Sequence, residues 1–197
     1  MKSNSIIRWL YSARLDARAW GSSRLRYDEI DGHNPHDLLP LLIRSAKAAD
    51  KTAAKHDEFM LSALRTAAVL VNRVGYDPNS DLHDEALNWI FESSVSDCIE
   101  TAAGAIWALG DWGTPPISVR DQLERLVVSE ARSNGETPNT CRALALRMLA
   151  RLDREIALNY IDSPASDELR TAISYWLDRK EISPDDANLE FGWLRTA

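Results

Sequence analysis

Apolar residues recur along most of this chain at the three-and-four spacing of a helix buried on one side, and no stretch alternates as a half-buried strand would. The pattern predicts helices over 4–19, 37–49, 56–74, 81–93, 96–109, 118–132, 138–152, 154–161, 164–179 and 184–194. The punctuation agrees. Thr137-Pro138, Ser163-Pro164 and Ser183-Pro184 each set a capping hydroxyl before a proline, which loses nothing at the first helical position. Ser118 with Asp121, and Ser183 with Asp186, resemble capping boxes that carry Asp in place of Glu. Asp37 is placed to cap the helix that follows it, with Pro40 in the first turn. Gly75 and Gly110 follow apolar runs, where a left-handed residue closes a helix. The resulting organisation is one helical domain over residues 1–197: a basic N-terminal helix over 1–20, a loop over 21–36 and a helical body over 37–197. A second polar stretch, Gly110 to Ser118, separates two helices of the body, and its short neighbours imply antiparallel packing.

The body repeats itself. Residues 66–75 (TAAVLVNRVG) align with residues 101–110 (TAAGAIWALG) at an offset of 35, and Ala102, Ala103, Ala105, Ile106 and Leu109 align with Ala145, Leu146, Met148, Leu149 and Leu152 at an offset of 43. Small residues begin each unit and large aliphatic ones follow, as stacked helices require. Ala102-Ala103, the run Ala108-Leu109-Gly110-Asp111 and residues 143–153 (ALALRMLARLD) resemble the second helix of HEAT repeats. The resemblance covers roughly residues 56–179. It implies an all-α fold, a short α-solenoid of antiparallel helix pairs, whose usual role is to bind macromolecules on the concave face formed by the second helices.

Charge modifies that picture. The 197 residues carry 23 basic and 30 acidic side chains, a net charge of −7. Residues 1–27 hold six cations against Asp16, a net +5, so the remainder stands at −12. An acidic body repels a phosphate backbone, which weighs against nucleic acid and suggests a basic partner. The Arg-rich N-terminus has the composition of a transit peptide, but Trp9, Tyr11 and Trp20 read as packing residues of a structural helix. No run of apolar residues is long enough to span a bilayer.

Candidate chemistry is sparse. Cys98 and Cys141 occupy equivalent repeat positions, matched by Ala63, where a small buried residue fits. They read as reduced structural thiols of a cytoplasmic protein. Asp31, His33, His36 and Asp37 carry metal-ligand chemistry, but loop and cap roles account for that segment without a metal. Nucleophile-elbow, phosphate-loop and zinc-protease motifs are absent from the sequence, and no cofactor is implied. Trp112 lies in a polar loop, where its ring either enters a partner's pocket or folds back over its own helix ends.

These features predict a non-catalytic protein-binding module. The binding face is expected to include Arg73, Trp107, Asp111, Trp112, Arg147 and Arg151. An acidic helical binder of this kind suits an inhibitor or immunity-type protein that neutralises a basic toxin, with charge complementarity speeding the encounter. An adaptor or scaffold subunit is the alternative, its basic first helix docking on an acidic surface. The HEAT resemblance adds a third reading, because some HEAT-like bacterial proteins are alkylpurine DNA glycosylases with aromatic and acidic residues in a basic groove. Trp107 and Asp111, with Arg73, Arg147 and Arg151 nearby, would then lie in that groove.

Overall fold

Helices are the only regular elements among the described residues, which are 3–27, 34–112, 115–128 and 137–161 of the computed structural model. In chain order they are α1 (Ser3–Leu10), α2 (Leu15–Tyr27), α3 (Pro35–Lys47), α4 (His56–Val74), α5 (Asp81–Ser94), α6 (Ile99–Gly110), α7 (Ile117–Val128), α8 (Thr137–Leu152) and α9 (Arg154–Ile161). The fold is therefore all-α. The helices predicted over 164–179 and 184–194 lie outside the described residues. The chain divides into two compact units, Met1–Val119 and Arg120–Ala197.

In the first unit α1 packs on α2, α3 on α4 and α5 on α6. The second member of each pair also packs on the next, α2 on α4 and α4 on α6, and α1 touches α3 as α3 touches α5. α4 lies at the centre of these contacts. Phe59, Ala63, Leu64, Ala67, Ala68, Leu70 and Val71 of α4 are all buried, because neighbours cover it on several sides. Each fully buried Leu or Phe of this kind contributes about 2 kcal/mol.

Small residues set the helix spacing. A Cβ on Gly104 of α6 would stand 2.6 Å from the Cα of Leu61 in α4, so only glycine permits this approach. On the other flank the Ser22 hydroxyl donates to Thr66 Oγ1 at 3.1 Å, Thr66 Oγ1 donates to the Ser22 carbonyl at 2.9 Å, and Ser62 Oγ donates to the Ala19 carbonyl at 3.1 Å. These buried hydroxyls satisfy one another across the α2–α4 contact. Residue pairs 19–62 and 22–66 advance together, so α2 and α4 run in the same direction.

Several boundaries differ from expectation. The expected first helix is two helices. Ser12 breaks it: its Oγ accepts the Arg14 N–H at 3.1 Å, its carbonyl accepts from Arg18 Nε at 2.6 Å, and Ser45 Oγ donates to the Leu10 carbonyl. These bonds offer the chain an alternative to the helical ladder. Residues 21–27, expected as loop, complete α2, because Gly21 and Ser22 are contact residues against α4 and not breakers. Asn34, not Asp37, caps α3. Its Oδ1 accepts the His36 N–H at 2.9 Å, and Pro35 takes the first helical position. Gly75 closes α4 with a positive φ of +82°, but its ψ of 133° lies outside the left-handed helical region that was expected. Gly110 does not close α6 in a left-handed conformation. Asp111 is the cap there, with φ −81°.

The second unit is described over residues 120–128 and 137–161. Leu123, Leu126 and Val127 of α7, Ala143–Leu146, Met148 and Leu149 of α8 and Ala157 of α9 are buried. Arg142 Nε donates to the Val127 carbonyl at 2.8 Å, which satisfies an orphan acceptor near the end of α7. Tyr160 Oη donates to Glu124 Oε2 at 2.6 Å. Burial and the Glu124 carboxylate push the Tyr160 phenol up to about 12.

Candidate functional site

The C-terminal halves of α2, α4 and α6 lie side by side and are tied together by arginines. Arg65, midway along α4, donates from Nε to Asp111 Oδ2 at 2.8 Å, and its guanidinium carbon lies 5.1 Å from the Trp107 ring centroid. Asn72, two turns later on the same stripe, donates from Nδ2 to the Asp111 carbonyl at 3.2 Å. One helix thus holds the end of the next through both the side chain and the main chain of Asp111.

Arg73 performs the same task on the opposite flank. Its Nη1 donates to the Leu25 carbonyl at 3.0 Å and its Nη2 to the Arg26 carbonyl at 2.7 Å. Those are acceptors left over at the end of α2, and a cation there also complements the helix dipole.

Beside these ties lies an outward stripe of α2. Trp20, Arg24 and Tyr27 stand at i, i+4 and i+7, opposite the buried Leu15, Ala19, Ser22 and Leu25. Trp20 is 44% exposed and Tyr27 68% exposed. The Arg24 guanidinium lies 5.7 Å from the Trp20 ring centroid and that of Arg26 4.7 Å from the Tyr27 centroid. Trp9 of α1 meets Trp20 edge-on. Burial lowers the Arg26 pKa, and the neighbouring charge of Arg65 acts in the same direction.

Of the six residues expected on the binding face, Trp107 and Asp111 meet at Arg65, whereas Arg73 lies on the other flank of α4 and holds the end of α2. Trp112 does not join them at the surface. It is 2% exposed and meets the Tyr76 ring edge-on at 6.1 Å, so it folds back over helix ends. Arg147 and Arg151 belong to the second unit. Arg147 is buried there, against the expectation of exposure, and Arg151 is exposed, with Nη1 3.9 Å from Met148 Sδ. The sequence reading missed Arg24, Arg26, Arg65, Trp20 and Tyr27. The i, i+4, i+7 spacing of Trp20, Arg24 and Tyr27 is legible only once residues 21–27 are taken as helix.

Two other clusters carry polar chemistry. At the start of α4 and α6, one ligand atom each from Asp57, Cys98 and Glu100 lies within 4.8 Å of the other two. Burial raises the Cys98 thiol, which keeps its proton and donates to Glu100 Oε2 at 3.4 Å. Cys98 and Cys141 are half-buried rather than buried, and neither forms a disulfide.

Near the start of α5, His83 is buried and its Nδ1 accepts the Asp77 N–H at 3.0 Å. That bond fixes the proton on Nε2. The His36 ring centroid lies 5.4 Å from that of His83. A neutral His83 in this tautomer has no lone pair left for a metal, so the two rings are not a ligand pair as they stand. Asp31 and His33 lie outside the described residues. Among the described residues no helix is long and apolar enough to cross a membrane. No protein-family model, no curated protein and no solved structure matches this chain.

Proposed function

We propose that this chain is a non-catalytic protein-binding module, a short α-solenoid resembling HEAT repeats, that receives its partner on the C-terminal halves of α2, α4 and α6. The observation that carries this reading is the set of three stacked pairs, Arg24 on Trp20, Arg26 on Tyr27 and Arg65 on Trp107, gathered on those helices. Such pairs occur about once per 70–80 residues in proteins, and here three fall on neighbouring helices within residues 20–107. Trp, Tyr and Arg are also the residue types that carry most binding energy at interfaces. The ladder of contacts, first helices on first and second on second, is the arrangement a solenoid would have. Both inhibitor and adaptor roles are compatible with such a face.

The test is purification of the full chain with its partner from host extract, comparing wild type with a Trp20→Ala, Tyr27→Ala variant whose helicity is checked by circular dichroism. One stoichiometric protein, lost from the folded variant, is the expected result. Equal recovery with both chains overturns the reading.

One observation favours a second reading. Trp107, Asp111 and Arg65 converge beside further arginines, which fits the groove of a HEAT-like alkylpurine DNA glycosylase. In that case the chain releases alkylated purine from damaged duplex, and Asp111→Asn abolishes the release with folding retained. Engagement of Asp111 by Arg65 and of Arg73 by main-chain carbonyls weighs against it.

A further inference from the structure

The chain as a whole is acidic, yet beyond the first turns of α2, α4 and α6 the charged residues are Arg24, Arg26, Arg65 and Arg73 against Asp111 alone. Two of these arginines are already committed. Arg65 pairs with Asp111, and Arg73 holds the carbonyls of Leu25 and Arg26. Arg26 differs. Among the described residues its Nε and Nη1 are buried with no hydrogen-bond partner, and the guanidinium is otherwise engaged only by the Tyr27 side chain and, through space, by the charges of Arg65 and Asp111. A desolvated guanidinium with unmade hydrogen bonds is costly, and the cost is relieved by a carboxylate or other anion brought to it. The charge of Arg65 acts on Arg26 more strongly than the opposing charge of Asp111, which is itself paired to Arg65, so the position still favours a further anion.

We infer that Arg26 is the recognition point for a carboxylate side chain of an acidic protein segment, which seats beside the Tyr27 ring when the partner docks. The inference rests on the docking face proposed above and reverses the sign of partner that net charge alone suggests. Tyr27 covers the Arg26 guanidinium and is largely exposed, so its rotation outward opens the site at little cost in packing. An acidic peptide is favoured over nucleic acid because a phosphate backbone needs a file of available cations, whereas Arg65 and Arg73 are spent within the chain. One carboxylate needs one guanidinium.

The experiment uses the full chain with fluorescein-labelled decaglutamate as probe, read by anisotropy, alongside a single-stranded deoxyoligonucleotide of equal length. The variants are Arg26→Gln, Arg26→Lys and Trp20→Ala, each checked by thermal melt. Decaglutamate is expected to bind wild type in a salt-sensitive manner. Arg26→Gln is expected to weaken it about tenfold, as loss of a charge-assisted hydrogen bond does, and Arg26→Lys to restore part of the loss. The Arg26 Nε–H resonance should move on addition of the peptide. Absence of decaglutamate binding, binding unchanged in Arg26→Gln, or oligonucleotide binding that depends on Arg26 while decaglutamate does not bind, each overturns the inference. The two levels separate through Trp20→Ala. If that variant loses the protein partner from host extract while Arg26→Gln keeps it, the face stands and the carboxylate assignment falls. If both variants keep it, the docking face falls as well.

Discussion

Arg65 and Asp111 are 46 positions apart in the chain and 2.8 Å apart in the fold, and the bond between them joins the middle of α4 to the residue that caps α6. Their side chains are 25% and 13% exposed, so water competes only partly for the pair. Removing either partner leaves the other underused at a site shielded from solvent. Arg65→Ala and Asp111→Ala are each expected to cost about 1–3 kcal/mol, the range for hydrogen bonds to charged groups. Urea denaturation of both single variants and the double variant measures the coupling. A double variant no worse than either single one places the loss in the pair itself, whereas strict additivity assigns it to separate causes.

Gly104 and Gly75 are both required to be glycine, for different reasons. Gly104→Ala would push a methyl group into the Leu61 main chain, and trimming the Leu61 side chain does not relieve a clash with its Cα. The expected loss is about 1–3 kcal/mol, through separation of α4 from α6. At Gly75 there is open space around a new Cβ, but φ is +82°. Gly75→Ala is therefore a backbone penalty of about 1–3 kcal/mol with the packing intact. Denaturant melts give both sizes. Hydrogen exchange distinguishes them, because only Gly104→Ala should loosen amides in the middle of α4.

How much of this was legible in the sequence follows from what periodicity detects. α4 and α9 match their expected ranges, since large aliphatic residues mark the buried stripe of α4 and a proline-free apolar run marks α9. α2 escaped because its buried stripe is built from Ala19, Gly21 and Ser22, residues that read locally as a turn. Their helical role depends on Ser62 and Thr66, more than 40 positions away. The candidate site was half legible for the same reason. Trp107 and Asp111 stand one turn apart and could be placed, whereas Arg65 became a site residue only when α4 and α6 were seen in contact.

His83 gives the first unit a pH dependence with a definite sign. Burial lowers its pKa first, and His36 facing it adds to that, while Asp77 and Asp84 act the other way. Tyr76 stacks nearby. Protonation would also place a hydrogen on Nδ1, where the Asp77 N–H now points. The unfolded chain binds this proton as pH falls through about 6.5, and the folded chain resists it. The contribution is complete above that value and is lost progressively below it. Thermal midpoints at about pH 7.5 and about pH 5.5 should differ more for wild type than for His83→Gln, whose amide oxygen can still accept from Asp77. Equal differences in the two proteins would remove His83 as the source.

Tyr160 supplies a second dependence, in the other unit and at the other end of the scale. With its phenol pushed up to about 12 beside Glu124, the folded chain keeps a proton that the unfolded chain gives up near the ordinary value of 10.0. Stability from this contact is present below that value and declines as pH rises through it. Ultraviolet titration should show a late-ionising tyrosine component, of which the Tyr160 share is lost in Tyr160→Phe while the smaller contribution of Tyr76, raised by burial and Asp84, remains. Titration of Tyr160 at an ordinary value would mean the Glu124 contact does not persist in solution.

Trp112 was a candidate interface ring by its place in a polar loop, and its burial assigns it to the fold instead. The ring fills space beside Tyr76, and its Nε1 is buried with no hydrogen-bond partner. Trp112→Ala removes the whole ring from a closed site and is expected to cost about 3–5 kcal/mol. Trp112→Phe keeps most of the apolar volume and deletes the unsatisfied N–H, whose desolvation costs about 1–3 kcal/mol. The lost ring volume and the lost orphan donor act in opposite directions. The phenylalanine variant should therefore melt close to wild type and bind the partner with unchanged affinity, while the alanine variant loses binding only as it loses structure. Chemical denaturation and partner titration on the same samples check this. A Trp112→Phe chain that melts like wild type yet fails to bind would return Trp112 to the interface, because only contact with the partner could then account for the loss.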